Sequence, residues 1–146
     1  MKKGLLHFAG ILFILLVSCN SSPAQKKQNW TKDQLLPPAE LAATLKSEKN
    51  IPVIICVGPG ASIPHSIDIG MTNDAENIEK FKEVLSKLPK DTSIVFYCGC
   101  CPYERCPNVR PAIDVLNSMK FTNFHMLDLP TNIKVDWINK GYPVVE

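Results

Sequence analysis

Three apolar runs rich in β-branched residues alternate along the chain with stretches in which apolar side chains recur every three or four positions. Strands buried on both faces are predicted for the three runs, at 51–57, 93–97 and 124–129. Helices are predicted for the amphipathic stretches, at 39–48, 72–88, from Pro111 onward and at 136–140. The second helix follows residues with N-cap chemistry, Thr72, Asn73 and Asp74. Because strands and helices alternate, the pattern predicts an α/β fold in which helices cover both faces of a parallel sheet.

The first 18 residues combine a basic start, Lys2 and Lys3, with an apolar run at 4–17. The run is shorter than the roughly 20 residues that a membrane-spanning helix needs, so it is typical of a secretory signal. The tetrapeptide at 16–19, Leu-Val-Ser-Cys, resembles a bacterial lipobox, in which Cys19 is lipidated on its thiol and becomes the first residue after cleavage. A plain secreted protein cut nearby is the alternative, and in both cases the chain is exported.

The chain of 146 residues, 45% of them hydrophobic, is long enough for one globular domain. We expect a lipoprotein signal peptide at 1–18, a lipidated cysteine and flexible polar tether at 19–33, and a folded domain at 34–146 whose packing begins near Trp30 or Leu35. The domain is expected on the periplasmic or outer face of the cell envelope. Its attachment to the membrane is expected through the lipid anchor only.

The net charge excludes a nucleic-acid partner. Loss of Lys2 and Lys3 with the signal leaves 14 basic residues against 14 acidic ones, so no basic field remains to attract a polyanion. Only two of the basic residues are arginines, Arg105 and Arg110, and both lie beside the densest group of cysteines. The guanidinium fork suits planar or tetrahedral anions, which points to a small anionic ligand.

Four of the six cysteines lie at 98–106, in the sequence Cys-Gly-Cys-Cys-Pro-Tyr-Glu-Arg-Cys. This loop connects the end of a predicted strand to the start of a predicted helix, which is where open α/β sheets bind ligands. Loop N–H groups and the positive end of the helix stabilise an anion there and lower the pKa of a thiol. The sequence therefore predicts a reactive sulfur in an anion-binding loop.

Four segments, in this order, resemble the rhodanese-like family over about residues 35–145: 63–69 (IPHSIDI), 94–98 (IVFYC), 112–116 with Lys120-Phe121, and 137–144 (WINKGYPV). The resemblance implies a five-stranded parallel sheet flanked by helices on both faces. It also implies a sulfurtransferase whose nucleophilic cysteine opens a loop that holds a persulfide. The loop here is longer and richer in cysteine than the family's Cys-x-x-x-x-Arg loop, and Ser62 stands where the family usually has a histidine.

Two cysteines are candidates for the nucleophile. Cys98 directly follows the strand, as the family's nucleophile does, whereas Cys100 reproduces the family's interval to Arg105. Cys98 is favoured because the sheet fixes the end of a strand, while a loop can absorb an insertion anywhere. Its thiolate is expected to attack the sulfane sulfur of thiosulfate or of a persulfide donor, and a thiol acceptor then removes that sulfur.

The remaining loop residues are expected to bind the donor. The loop N–H groups, including those of Gly99, Cys101 and Tyr103, together with the Arg105 side chain, are expected to hold the partly anionic sulfur in transfer. Arg110 is a further candidate for binding the anion. His65 either reaches the site or caps a turn, and for a single histidine in a loop the turn is favoured. No cofactor is needed for this chemistry.

Other roles for the cysteines remain open. Export permits structural disulfides among Cys100, Cys101 and Cys106, although the five cysteines that follow Cys19 are an odd number. Cys56 ends a buried strand and is expected to be structural. Non-sulfurtransferase alternatives are a thiolate site for copper, zinc or an iron–sulfur cluster, a thiol-redox protein, and a catalytically silent binding module.

Overall fold

The structure, a computed structural model, describes residues 28–145, so the predicted signal peptide and the predicted lipidation at Cys19 lie outside the described residues. It has five strands, β1 (Leu35–Leu36), β2 (Val53–Cys56), β3 (Ser66–Asp68), β4 (Ile94–Tyr97) and β5 (Phe124–Leu127). Its four α-helices are α1 (Pro38–Ser47), α2 (Ala75–Ser86), α3 (Val109–Ser118) and α4 (Ile133–Asp136), and 3-10 turns occupy Lys32–Gln34 and Ile138–Lys140. Within residues 28–145, no helix is both long and apolar enough to cross a bilayer.

All five strands are parallel and form one sheet in the order β1-β5-β4-β2-β3. The α/β prediction is therefore confirmed. Strand β4 lies at the centre, between β5 and β2, and all four of its residues are buried. The loop that follows β4 consequently leaves the sheet in the middle of its carboxyl edge, where ligands bind in such folds.

Two apolar cores cover the two faces of the sheet, as predicted. Alternate residues of β4 point to opposite faces, so Phe96 packs in one core with Phe81 of α2 and Leu116 of α3. Val95 packs in the other core with Leu41 of α1. Burial of the central strand on both faces explains why its sequence is a continuous apolar run rather than an alternating one.

The two edge strands, β1 and β3, are the elements that the apolar pattern alone did not predict. Strand β1 has two residues and β3 has three, of which Ile67 and Asp68 are exposed. An edge strand with one face open to solvent needs no long apolar run, so it leaves little signal in the sequence.

The carboxyl-terminal helix differs from the prediction of 136–140. Helix α4 begins three residues earlier, at Ile133, because the Asn132 side chain accepts a hydrogen bond of 2.9 Å from the Val135 N–H. A separate 3-10 turn follows at Ile138–Lys140, and Gly141, whose φ of 69° suits glycine, caps its end.

The packed domain extends into the segment predicted as a flexible tether. Trp30 is only 6% exposed and belongs to the core that contains α3. The Asn29 amide donates to the Arg110 carbonyl at 3.1 Å and to the Asp114 carboxylate at 2.8 Å. Of the two domain starts that the sequence left open, Trp30 therefore describes the packing better than Leu35.

Candidate active site

Cys98 is the first residue after β4. Close packing confines both Cys98 itself and the next residue, Gly99. A Cβ atom at Gly58 would lie 2.8 Å from the Cys98 Sγ, so only glycine allows the turn after β2 to approach the sulfur. Gly99 is equally confined, because a Cβ there would lie 2.7 Å from the Cβ of Ile133. The Gly99 carbonyl also accepts a hydrogen bond of 2.9 Å from the Ile133 N–H, which ties the loop to α4.

The loop brings three sulfurs together. The Sγ atoms of Cys98, Cys100 and Cys106 all lie within 4.8 Å of one another, and those of Cys98 and Cys100 are 3.4 Å apart. Cys98 and Cys106 are buried, Cys100 is exposed, and all three are free thiols in this structure. The Cys101 Sγ lies 3.3 Å from the Cys100 Sγ but is outside the group of three. The exposed Cys100 sulfur thus lies between the solvent and the buried Cys98 sulfur.

The surroundings of Cys98 favour a thiolate. A hydrogen bond from the Cys106 thiol is the largest effect on its pKa, and burial acts in the opposite direction. The Cys100 N–H, the Asn108 amide and the Cys100 thiol add further donors, and together they lower the pKa of Cys98 from 9.0 to about 5. At neutral pH the Cys98 sulfur therefore carries a negative charge.

The two neighbouring thiols keep their protons. Although the Cys100 residue is exposed, partial removal of its thiol from water, together with hydrogen bonds to Cys101 and Cys98, raises the pKa of Cys100 to about 12. The pKa of Cys106 is also raised, first by the hydrogen bond that its thiol donates to Cys98 and second by burial. A single negative charge thus resides on Cys98, and protons on two adjacent sulfurs stabilise it.

Asn108 is a residue of the site that the sequence analysis missed. Its side chain is 1% exposed and donates from Nδ2 to the Cys98 Sγ at 3.4 Å. The Asn108 Oδ1 accepts from the Asn73 N–H at 3.1 Å, which turns the amide nitrogen toward the sulfur. The buried Thr72 hydroxyl donates to the Asn108 carbonyl at 2.6 Å.

The predicted capping role of Thr72 and Asn73 is corrected by these contacts. Asp74 is the N-cap residue of α2 and makes no side-chain capping hydrogen bond. Thr72 and Asn73 instead hold Asn108 at the start of α3. A polar residue just before a helix was the available signal for Asn108, but that pattern is typical of ordinary caps as well.

Arg105 and Arg110 have different environments. Arg105 is exposed, its N–H donates to the Pro102 carbonyl, and its guanidinium has no hydrogen-bond partner among residues 28–145. Arg110 donates from Nη2 to the Glu104 carbonyl at 2.7 Å, and its guanidinium carbon lies 5.0 Å from the centre of the Trp30 ring. These contacts give Arg110 a role in holding the loop, whereas Arg105 stays available to a ligand.

The outer part of the loop packs on the amino-terminal segment. Tyr103 is half-buried, and its ring meets that of Trp30 edge to face with centroids 5.8 Å apart. Burial raises the pKa of Tyr103, and the nearby Asp128 and Glu104 carboxylates raise it further. The structure thus places the Tyr103 side chain in a packing contact, while its N–H belongs to the loop as predicted.

A small pocket of about 130 Å³ opens beside the cysteines. It is lined by Pro59, Gly60, Ser62, Gly99, Cys100 and Ile133. Sites for drug-sized ligands usually enclose roughly 300–1,000 Å³, so this one suits a small molecule. Because Cys98 is only 3% exposed, a molecule in this pocket meets the Cys100 side chain before it reaches Cys98.

The turn after β2 is organised by Tyr97 rather than by His65. The Tyr97 hydroxyl accepts hydrogen bonds from the N–H groups of Ser62 at 3.0 Å and Ile63 at 3.2 Å. His65 is exposed in the turn that leads into β3, at a φ of 63°, and within residues 28–145 no hydrogen bond joins it to the cysteine loop.

Comparison with known proteins supports the fold. A solved structure of a rhodanese-related protein from Thermoplasma volcanium is similar to this chain, with a TM-score of 0.52 and 20% sequence identity. The match covers 77% of this chain and 97% of that one. No protein-family model and no curated protein matches the chain. The likeness shows a rhodanese-like fold, the architecture that the sequence resemblance implied.

Proposed function

We propose that this protein is a rhodanese-like sulfurtransferase in which Cys98 carries the transferred sulfur as a persulfide. The observation that carries the proposal is the thiolate environment of Cys98, which several hydrogen-bond donors surround at the carboxyl end of the central strand. A thiolate at neutral pH is the nucleophilic form of cysteine. The rhodanese-like fold supports a sulfurtransferase-type domain.

The first half-reaction forms the persulfide. The Cys98 thiolate attacks the sulfane sulfur of thiosulfate, a new S–S bond forms, and sulfite leaves with the electron pair of the broken S–S bond. With a persulfide donor, a thiolate leaves instead. The Asn108 amide and the Cys100 N–H, which donate to the Cys98 sulfur, are placed to bind negative charge on the persulfide.

The second half-reaction releases the sulfur. An acceptor thiolate attacks the outer sulfur of the persulfide, and the Cys98 thiolate leaves. A thiol of low pKa leaves fast in thiol–disulfide exchange, so the environment that activates Cys98 as a nucleophile also favours its departure. No external oxidant or reductant takes part in either half-reaction.

Cys98 rather than Cys100 is assigned as the nucleophile. A pKa of about 12 keeps Cys100 protonated at neutral pH, although its side chain is the more exposed of the two. Cys100 is then a donor to the Cys98 thiolate and a wall of the approach. Arg105 is proposed to meet the anionic donor, and Arg110 to hold the loop in shape.

We also propose that the domain works in the cell envelope, with Cys19 as its lipid anchor. The lipobox-like sequence at 16–19 supports this proposal. The proposed partners are a small sulfur-containing anion or persulfide donor and a thiol acceptor. The size of the pocket beside Cys100 supports a small donor.

Intact mass of the purified, reduced protein tests the proposal. Thiosulfate should add one sulfur, about 32 Da, and cyanide should remove it. Cys98→Ala should abolish the gain, whereas Cys100→Ala and the matched buried control Cys56→Ala should retain it. A mass that never changes, or a gain that Cys98→Ala leaves intact, would contradict the assignment.

A further inference from the structure

We propose that Cys98, Cys100 and Cys106 form a binding site for one Cu(I) ion with three thiolate ligands. The Sγ atoms of these residues all lie within 4.8 Å of one another. Soft thiolate ligands select Cu(I), zinc and iron–sulfur centres over harder ions. This function is separate from sulfur transfer and does not depend on it.

The three ligands come from parts of the fold that differ in their freedom to move. Cys98 is fixed by the end of β4, and the fully buried Cys106 lies two residues before Asn108, the N-cap of α3. Cys100 is exposed in the loop between them. Packing thus holds the two buried ligands, Cys98 and Cys106, in place. The third ligand, Cys100, lies on the solvent side, from which an ion reaches the site.

Hydrogen-bond donors surround the two buried sulfurs. The Asn108 amide lies 3.4 Å from the Cys98 Sγ, and the Cys100 N–H also donates to that sulfur. The N–H groups of Asn108 and Val109, at the start of α3, face the Cys106 sulfur. Such outer contacts orient metal ligands and offset the negative charge of thiolates in a buried site.

The number of ligands favours Cu(I) over zinc. Among residues 28–145, no fourth cysteine, histidine or carboxylate joins the group of three. Cys101 lies outside it although its sulfur is 3.3 Å from that of Cys100. Zinc takes four ligands and would need a water to complete this site, whereas three soft thiolates complete the coordination of Cu(I).

Binding is a proton exchange without electron transfer. Each of the three sulfurs bonds to the ion as a thiolate, and the protons of the thiols that bind are released to the solvent. Copper enters and stays as Cu(I), and no sulfur changes its oxidation state. Because Cys98 is the proposed nucleophile, bound copper and a Cys98 persulfide exclude each other.

Competition with a chromogenic Cu(I) chelator under anaerobic, reducing conditions tests the site on the full chain. We expect one Cu(I) per chain and, by X-ray absorption, three sulfur neighbours around copper. Cys100→Ser should weaken binding at least about 100-fold. The control is Cys101→Ser, at the neighbouring half-buried cysteine of the same loop, and it should leave binding unchanged. Because Cys100 is exposed, its substitution avoids the risk to folding that Cys106→Ser carries.

Several results would overturn the site. They are failure to compete with the chelator, a coordination number other than three sulfurs, and a loss on Cys101→Ser equal to that on Cys100→Ser. Persulfide formation by the copper-free protein is measured separately, so failure of one proposal leaves the other standing.

Discussion

Cys56 is the last residue of β2 and Cys98 directly follows the neighbouring strand β4, so both lie at the same edge of the sheet. Their surroundings shift the pKa values of the two thiols in opposite directions. Cys56 pairs with Tyr97 in the register of β2 and β4, so Cys98 is one residue further along. Both side chains are buried, at 0% and 3% exposure. Yet the pKa of Cys56 is raised to about 11, while that of Cys98 is lowered to about 5.

The difference lies in the groups around each sulfur. Burial raises the pKa of Cys56, a hydrogen bond at Gly58 offsets only part of this, and the thiol points at the Gly60 carbonyl, 3.3 Å away. Around Cys98, thiol, amide and backbone donors outweigh the same cost of burial. Burial alone therefore does not decide whether a cysteine is inert. The pKa of a buried thiol also depends on whether hydrogen-bond donors or acceptors face its sulfur.

Removing the Cys106 thiol should reduce the difference between the pKa values of Cys56 and Cys98 more than any other change. Cys106→Ala deletes the strongest donor to Cys98, and we expect the pKa of Cys98 to rise by about 1–2 units. Cys106→Ser, which keeps a donor, should shift the pKa less. The ultraviolet absorbance of thiolate as a function of pH measures both. Equal shifts in the two variants would show that packing rather than hydrogen bonding matters there.

Removing the Asn108 amide should have a smaller effect of the same sign. In Asn108→Ala the pKa of Cys98 should rise by about 1 unit. The Asn73 N–H also loses its acceptor, and because Asn73 is exposed and water can replace it, the free energy of unfolding should fall by about 1 kcal/mol. Asn117→Ala, at an exposed position of α3, is the control for helix effects. An unchanged thiolate titration in Asn108→Ala would exclude the amide as a donor.

The difference between the pKa values of Cys98 and Cys56 should also make the stability of the fold depend on pH. The folded-state pKa of Cys98 lies below its ordinary value of 9.0, so the unfolded chain binds more protons between about pH 5 and pH 9. Stability from this group is therefore fully present above pH 9 and is lost as pH falls through 5. In urea unfolding, the free energy of unfolding of the wild type should increase relative to that of Cys98→Ser by about 1 kcal/mol for each unit of pH in this window. A constant difference between the two proteins would contradict the lowered pKa.

Cys56 should show the opposite sign in a higher window. Its raised pKa contributes stability that is present below pH 9 and lost as pH rises toward 11. Between pH 5 and pH 9, Cys56→Ala should therefore leave the pH dependence of unfolding unchanged. The comparison with Cys98→Ser in the same urea series separates the two cysteines.

Cys56→Ala should have the smallest effect on sulfur chemistry. The substitution removes one buried sulfur at a cost in unfolding free energy of about 1 kcal/mol. Thiosulfate should still add sulfur to the protein at the wild-type rate, as followed by intact mass. A large loss of persulfide would mean that the two cysteines act together.

The fold was predictable where burial leaves a strong pattern. Strands β2, β4 and β5 are apolar runs, and the periodicity of α1 and α2 located both helices to within a few residues. Strands β1 and β3 are short edge strands, and their presence was implied only by the resemblance to a known family. The pattern of apolar residues in a sequence reflects burial, and half-exposed edge strands contain too few buried residues to produce a clear pattern.

The site was predictable only in part. Cys98 stood out because it follows a predicted strand, but its pKa depends on contacts that no local pattern contains. Asn108 faces Cys98 because Asn73, 35 residues earlier, holds the amide. In the sequence, Cys106 is only one more member of a cysteine-rich loop. The fold brings its Sγ within 4.8 Å of the Cys98 Sγ, where its thiol lowers the pKa of Cys98.

Ultraviolet titration of thiolate in the reduced wild-type protein, Cys98→Ser and Cys56→Ser tests the central claim most directly. We expect one thiolate that forms near pH 5 in wild type, persists in Cys56→Ser and is absent from Cys98→Ser. If no thiolate forms below pH 8, or if the low-pH thiolate remains in Cys98→Ser, the assignment of Cys98 as the reactive sulfur is contradicted.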